Sequence, residues 1–365
     1  SKEKEIEVRP EFFMIDMTNK CNLRCNYCLR NLEQEENCIS TEKLRDIGKF
    51  ITTYCDEYKI ANISVQAWGG EPLLEKNKII ALTKFITPQK TKVHYSIETN
   101  ATLLTNDVIE ELYKNHIGIG ISIDGDRKCH DLQRTFVSGK GSYDTVKKNL
   151  LQAQRYYKNK IGTITTITKQ TAVHIEKIIE HLVLDLHISN IKLNFVHAST
   201  YTHGQNQCLN TQEIADTELR ILYKIIELQE RGYDVMEHNI FIKLKNLLFR
   251  EYADICLSCG CCGGKKMIVF DMDGNIYPCE LTDDASFVIG SIYKKESLIE
   301  QIKMTIDKDK AFFKMKKAVE CEKCYWKFFC RGGCTVRALS EKRQMEVIDI
   351  DHIECAINQV LYPAL

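Results

Sequence analysis

The chain has 365 residues, 50 Lys+Arg balanced by 50 Asp+Glu, and 17 cysteines. At roughly 150 residues per domain this length holds about two domains. Zero net charge excludes a general nucleic-acid or anionic-membrane binder, which would carry a surplus of Lys and Arg.

The opening residues 1–11 (SKEKEIEVRPE) form a charged tail without the apolar core of a secretory signal, and no run approaches the roughly 18 apolar residues that a spanning helix needs. The expected setting is therefore the cytoplasm, with no membrane partner. From residue 12 onward, apolar runs of strand length alternate with longer segments of helical period. The strands are expected at 12–17, 63–67, 92–97, 117–123, 162–167 and 191–196. Helices are expected near 41–59, 75–87, 105–115, 142–157, 171–186 and 211–231, with Thr41, Asn106 and Ser142 as starting residues. Six strand–helix repeats predict an α/β fold with a parallel sheet, open or closed into a partial barrel. Chemistry in such folds belongs at the carboxyl ends of the strands. Cys21–Cys28, Gly69-Gly70-Glu71-Pro72, Glu98/Asn100 and Ser122-Ile123-Asp124 all fall there. Beyond about residue 235 the repeat gives way to short segments rich in Gly and Cys. Within them, KKMIVFDMDGNIYPC predicts a hairpin turning at Asp273-Gly274.

The cysteines are clumped. Three lie in CNLRCNYC (Cys21, Cys25, Cys28), four in CLSCGCC (Cys256, Cys259, Cys261, Cys262) and four in CEKCYWKFFCRGGC (Cys321, Cys324, Cys330, Cys334), with Cys279 and Cys355 apart. In a reducing compartment such clusters point to metal ligation rather than a disulfide framework. Three thiolates within eight residues can hold three irons of a 4Fe–4S cubane and leave the fourth iron open to a small molecule. Structural zinc is the alternative, but it wants four ligands, and no His or fourth Cys lies close by.

The spacing C-x3-C-x2-C, with Tyr27 in the last gap, resembles the signature of the radical S-adenosylmethionine (radical SAM) superfamily. The resemblance implies a partial (β/α)6 TIM-like barrel and a 4Fe–4S cluster that cleaves S-adenosylmethionine to a 5′-deoxyadenosyl radical. Gly69-Gly70-Glu71 looks like the family's GGE element, with glycines that admit the ligand and a carboxylate for the cofactor's ammonium. Ser122 and Asp124 match positions that contact ribose hydroxyls, and Arg134 one that pairs with the methionine carboxylate. Glu98 and Asn100 would line the same cavity.

The pattern Cys262-x11-Gly274-x4-Cys279, Cys321-x2-Cys324-x5-Cys330-x3-Cys334 and Cys355 resembles the SPASM extension of radical SAM proteins. A specified four-cysteine pattern arises by chance about 2 times in 1000 at this chain's cysteine frequency. The alternative is a zinc ribbon built from Cys321, Cys324, Cys330 and Cys334. By resemblance, Cys321, Cys324, Cys330 and Cys355 hold one auxiliary cluster. Cys279, Cys334, Cys262 and one upstream thiol hold the other. Cys256 has the better spacing for that upstream ligand, while Cys259 and Cys261 stand nearby. The division implied is a tail (1–11), a radical SAM core (12–238) and a SPASM domain (239–365), with three 4Fe–4S clusters in all.

Members of this architecture modify peptide or protein side chains. The reading favoured here is a ribosomal-peptide maturase that forms thioether or carbon–carbon cross-links. The alternative is an anaerobic sulfatase-maturating enzyme that oxidises Cys or Ser to formylglycine, and the non-enzymatic one is an iron–sulfur electron-transfer protein. Sulfatase maturases place Asp directly after the cysteine that corresponds to Cys279, as base for the target thiol; here that position is Glu280. They also show an aromatic pair where this chain has Leu29-Arg30. Expected partners are the peptide, an external one-electron reductant of flavodoxin or ferredoxin type, and a separate leader-binding protein, since the tail is short.

Overall fold

The computed structural model describes residues 7–30, 35–197, 207–249, 260–282, 285–307, 319–340 and 350–365. The six expected strands form, each with alternate positions buried, apolar in most of them but Thr163, Thr165 and Ile167 in the fifth. They are β1 (Phe12–Thr18), β3 (Asn62–Gly69), β4 (Lys92–Thr99), β5 (Ile117–Ser122), β7 (Gly162–Ile167) and β8 (Asn190–Phe195). Two short strands not anticipated, β2 (Leu23–Cys25) and β6 (Arg134–Phe136), pair antiparallel with each other. Strand β9 (Met236–Glu237) adds to β8 in parallel, and β10 (Met267–Phe270) adds to β1 in parallel. The expected hairpin is β10 with β11 (Asn275–Tyr277); Gly274 supplies its turn at φ 84°, and β12 (Gly290–Ser291) follows. The sheet order is β12-β11-β10-β1-β3-β4-β5-β7-β8-β9. The hairpin therefore extends the main sheet instead of founding a separate one.

The first helices are α1 (Thr41–Glu57), α2 (Lys76–Phe85), α3 (Asn106–Lys114), α4 (Arg127–Gln133) and α5 (Tyr143–Tyr157). Ser40, not Thr41, caps α1: its hydroxyl accepts from Lys43 N at 3.1 Å. Thr105 rather than Asn106 holds the cap position of α3. Ser142 does sit at the cap of α5, but its hydroxyl donates to Arg134 O at 2.7 Å. The single helix expected at 171–186 is broken into α6 (Lys169–Ala172), α7 (Ile175–Glu180) and a π turn, His181–Asp185. Thr168 and Thr171 bond each other's backbone as a capping box, which starts the first piece early. Then come α8 (Thr211–Glu230) and α9 (His238–Phe249), the latter beginning where the core was expected to end.

The cysteine-rich end is more helical than its sequence suggests, with α10 (Leu298–Asp307), α11 (Val319–Glu322), α12 (Lys327–Cys330), α13 (Thr335–Ser340) and α14 (His352–Ala364). Helix α14 packs on α8 and joins the main core through Ala356, Ile357 and Leu361. Among the described residues no helix is long and apolar enough to cross a membrane.

The two faces of the sheet differ. The outer positions (Phe13, Ile15, Val65, Ile97, Ile119, Ile121, Ile191) are buried in the helix layer. The inner positions of β4, β5 and β8 are small or polar and partly accessible, and those of β7 are Gly162, Ile164 and Thr166. On β1 and β10 the inner face is plugged by Met14, Met267 and Val269 with Tyr277.

Candidate functional site

The cysteine loop leaves β1 and is fixed on both sides by backbone. Pairing of β2 with β6 sets Cys25 opposite Arg134, and Asn26 N donates to Gln133 O at 3.0 Å. On the other flank, Gly70 N donates to Thr18 O at 2.7 Å and Glu71 N to Lys20 O at 2.8 Å. A Cβ on Gly70 would lie 2.1 Å from Lys20 O, and one on Gly69, at φ 144°, would lie 2.4 Å from Thr18 O. The two glycines thus let the end of β3 lie against the backbone that enters the cysteine loop.

Glu71 is buried and accepts three hydrogen bonds: Leu73 N at 3.0 Å and Thr99 Oγ1 at 2.7 Å on one oxygen, Asn100 N at 2.8 Å on the other. Burial nevertheless raises its pKa, against the pull of these donors. Asn100 passes the connection on, its Nδ2 donating to Asn22 Oδ1 at 2.9 Å and standing 3.9 Å from Cys21 Sγ. The next residue, Ala101, holds the left-handed region at φ 59°, pinned by Asn149 Nδ2 on its carbonyl at 2.8 Å.

On the far side Asp124, with no solvent exposure, is a hub. Its Oδ2 accepts from Tyr27 Oη at 2.6 Å, Arg134 Nε at 2.8 Å and Gln133 Nε2 at 3.0 Å, and its Oδ1 from Thr166 N at 2.9 Å. Arg134 lies 5.3 Å from the Tyr27 ring and directs Nη1 at Cys25 Sγ, 3.9 Å away. Burial drives the Tyr27 phenol well above its ordinary value, and Asp124 holds Arg134 firmly charged despite burial. His130 Nδ1 accepts from Asp124 N at 3.2 Å, and burial lowers that ring to about 4, so it is neutral. Ser122 ends β5 on the accessible inner face.

Cys21, Cys25 and Cys28 are free, half-buried thiols; burial first, and then the charge of Cys28, raises the pKa of both Cys21 and Cys25. Burial pushes Cys25 up to about 12. Thiols of this kind bind metal with release of protons. Among the described residues, no three Cys, His, Asp or Glu side chains share the position of a single metal ion. A cubane takes each thiolate at a different iron.

In the second half, the charges of Cys261, Glu280 and Cys334 all act on Cys279, after burial itself, to raise its thiol. The structure therefore brings Cys261, one of the nearby thiols left open, to Cys279 and Cys334. Cys262, beside Cys261 in sequence, is buried. Cys256 lies outside the described residues, as does Cys259. Cys321, Cys324 and Cys355 form a second group by the same criterion, while Cys330 faces Glu354 and Asn358 of α14. One carboxylate links the groups. Asp351 Oδ2 accepts from Cys334 N at 2.7 Å and Arg337 Nη2 at 2.6 Å, and Oδ1 caps α14, which carries Cys355, through Glu354 N at 3.1 Å. Glu280 follows Cys279 in the turn after β11, half-buried.

Three features escaped the sequence reading. These are the β2–β6 staple, the Asp124 hub through Gln133 and Thr166, and an inner-face pair in which Arg30 bonds Asp16 Oδ1 at 2.6 Å and stacks 4.3 Å from the Trp68 ring centroid. The staple is only three residues per strand, too short for any periodicity to show.

The Radical SAM superfamily model matches residues 15–182. A cysteine-type anaerobic sulfatase-maturating enzyme of Clostridium novyi is 26% identical over 327 residues, 87% of this chain and 85% of the relative. The radical SAM cyclopropyl synthase TigE of Paramaledivibacter caminithermalis is 23% identical over 367 residues, 94% of this chain and 71% of the relative. The solved structure of anSMEcpe with bound AdoMet and Cp18Cys peptide superposes with a TM-score of 0.80 at 20% identity, covering 98% of each chain.

Proposed function

We propose that this chain, an enzyme of the radical SAM superfamily, modifies a side chain of a peptide or protein substrate held against the inner face of its barrel. The observation that carries this reading is one of placement. A three-thiol loop is clamped on both flanks at the carboxyl end of the strands, above inner positions of β5 and β8 that are small or polar and partly accessible. When bound, a 4Fe–4S cluster with S-adenosylmethionine supplies a one-electron cleavage that leaves a hydrogen-abstracting 5′-deoxyadenosyl radical.

The chain's own residues fix where this happens. Cys21, Cys25 and Cys28 are the proposed cluster ligands. Asn100 positions Cys21 and Arg134 positions Cys25. Glu71 and Asp124 act one bond further back: their oxygens are already occupied by protein donors, so a contact with the cofactor would exchange one of those bonds. Ser122, on the open face of β5, remains free to meet it directly, and Tyr27 with Gly69 and Gly70 shapes the loop that borders it. Residues 12–238 are the proposed core and 239–365 the proposed SPASM domain. There Cys261 joins Cys262, Cys279 and Cys334 as candidates for one auxiliary cluster, and Cys321, Cys324, Cys330 and Cys355 for the other. Glu280 is the proposed proton acceptor for the substrate group.

Two products remain in play. Similarity over 87% of the chain to a sulfatase-maturating enzyme favours formylglycine formation. Glu280 in place of Asp, together with similarity to a cyclopropyl synthase over 94% of the chain, favours peptide maturation. Formylglycine formation alters one residue of the substrate, whereas a cross-link joins two and keeps the proteolytic fragments that carry them together, so peptide mapping separates the readings. The underlying activity is tested by replacing Cys21, Cys25 and Cys28 together with Ala. 5′-Deoxyadenosine release under dithionite is expected to vanish while the iron held by the C-terminal cysteines stays, and retained release would refute the site.

A further inference from the structure

The two cysteine groups of the C-terminal segment meet at a row of alternating charges. Asp351 and Glu354 supply the carboxylates, Arg337 and Lys243 the cations; all but Arg337 are fully buried, and Arg337 is largely so. Asp351 Oδ2 accepts from Arg337 Nη2 at 2.6 Å, Arg337 Nε at 3.0 Å and Cys334 N at 2.7 Å, so the guanidinium and the backbone of that cysteine share one oxygen. Arg337 Nη2 also reaches Glu354 Oε2 at 3.3 Å, and Lys243 closes the row on Oε1. The turn that delivers Cys334 is pressed onto this row. A Cβ on Gly333, at φ 73°, would lie 2.7 Å from Asp351 Oδ2 and 2.9 Å from Glu354 Cβ, so only glycine suits that position.

Buried ion pairs stabilise a fold little beyond what packed apolar groups would, so a guanidinium in this place points to a role other than stability. Its position supplies one. Among the charges that act on the Cys334 thiol, after burial itself, that of Arg337 comes first and favours the thiolate, while Cys261 and Asp351 oppose it. On Cys279 the leading charge is Glu280, also an anion. Arg337 thus brings positive charge to a thiol set on which Cys261, Glu280 and Asp351 all act with the opposite sign. A guanidinium does not lose its proton in proteins, and Asp351 and Glu354 hold this one charged despite burial. A fixed cation beside an iron–sulfur group favours the form that carries one more electron, because buried surroundings screen the added charge poorly. On Cys330, in the second group, the leading charge is instead Glu354, so a change at Arg337 bears mainly on the first.

We infer that Arg337, clamped by Asp351, raises the reduction potential of the iron–sulfur group proposed at Cys261, Cys262, Cys279 and Cys334. This rests on the reading of two auxiliary clusters above.

The probe is the full chain with Cys21, Cys25 and Cys28 replaced by Ala, reconstituted anaerobically so that the C-terminal iron alone is titrated with dithionite and mediators, followed by electron paramagnetic resonance. Cys279→Ala identifies the transition of the first group by its loss. Arg337→Gln is expected to make reduction of that group about tenfold less favourable, a fall of about 59 mV for one electron, and to move the other transition by less than about threefold. Arg337→Lys keeps the charge and loses the two-pronged contact. It is expected to stay within about threefold of the parent, whereas a purely structural role would be broken by both substitutions alike. Should Arg337→Gln shed its iron, Asp351→Asn takes its place. It can still cap α14 and removes the anion that offsets Arg337, so reduction is expected to become about tenfold easier. A first-group potential within about threefold of the parent in the charge-changing variant, or a shift of equal size in Arg337→Lys, overturns the inference and leaves the two-cluster reading standing. If the parent shows fewer than two transitions, the two-cluster reading itself falls, and this inference with it.

Discussion

Asp124→Asn isolates the device that holds the cysteine loop. The carboxylate has no solvent exposure and takes three donors on Oδ2 and one on Oδ1. With its amide oxygen in the Oδ2 position, Asn turns its NH2 toward the Thr166 N–H and leaves two donors facing each other. Flipped, it opposes Tyr27, Gln133 and Arg134 at once. In either rotamer Arg134 loses its buried counter-charge. Removing one partner of a buried pair costs about 3–5 kcal/mol, and the stranded Thr166 donor lies within that range rather than beyond it. The assay is native-state hydrogen exchange on the holo chain, reading the β2–β6 amides and Thr166. Opening there is expected to become about 10²–10⁴-fold easier, with iron lost from the N-terminal site as Cys25 drifts from its strand partner Arg134. Combining Asp124→Asn with Arg134→Met removes both charges, so the double variant is expected to cost at least about 1 kcal/mol less than the sum of the singles. An exchange rate within threefold of wild type, or strict additivity in the cycle, would refute the hub.

Three further expectations can be checked separately. Gly70→Ala places a methyl 2.1 Å from Lys20 O, so the loop must move; loss of N-terminal iron with the C-terminal iron kept is expected by metal analysis, and full retention contradicts the close approach. Lys243 and Glu354 form a fully buried pair, with Asn358 Oδ1 also 2.7 Å from Lys243 Nζ. Lys243→Met is expected to destabilise by about 3–5 kcal/mol in denaturant unfolding, and a neutral result would show that the pair is not the brace between α9 and α14. Glu218 is buried and raised to about 8, first by burial and then by Glu237. The folded state therefore keeps a proton that the unfolded state releases near 4.5, so stability falls as pH rises from about 4.5 to about 8, by at most about 5 kcal/mol. Glu218→Gln is expected to flatten that slope in thermal scans across this window, and an unchanged slope would assign the dependence elsewhere.

Much of the fold was written locally. Alternation at positions such as Ile117, Ile119 and Ile121 is a property of a few consecutive residues, so strands and their order along the chain could be read without knowing what they touch. The cysteine spacings were equally local, because a cluster bound by one short loop needs its ligands near in sequence. What required the tertiary structure was every relation between distant segments. No pattern announces that Arg134 lies across from Cys25, that Asp124 spends its oxygens on Tyr27 and Thr166, or that Cys261 stands by Cys334. Such pairings are set by how strands register and where loops cross, through single hydrogen bonds between residues far apart in sequence. The glycines at 69 and 70 illustrate both sides: their identity marked a tight spot, and only packing revealed that the neighbour is the chain's own backbone.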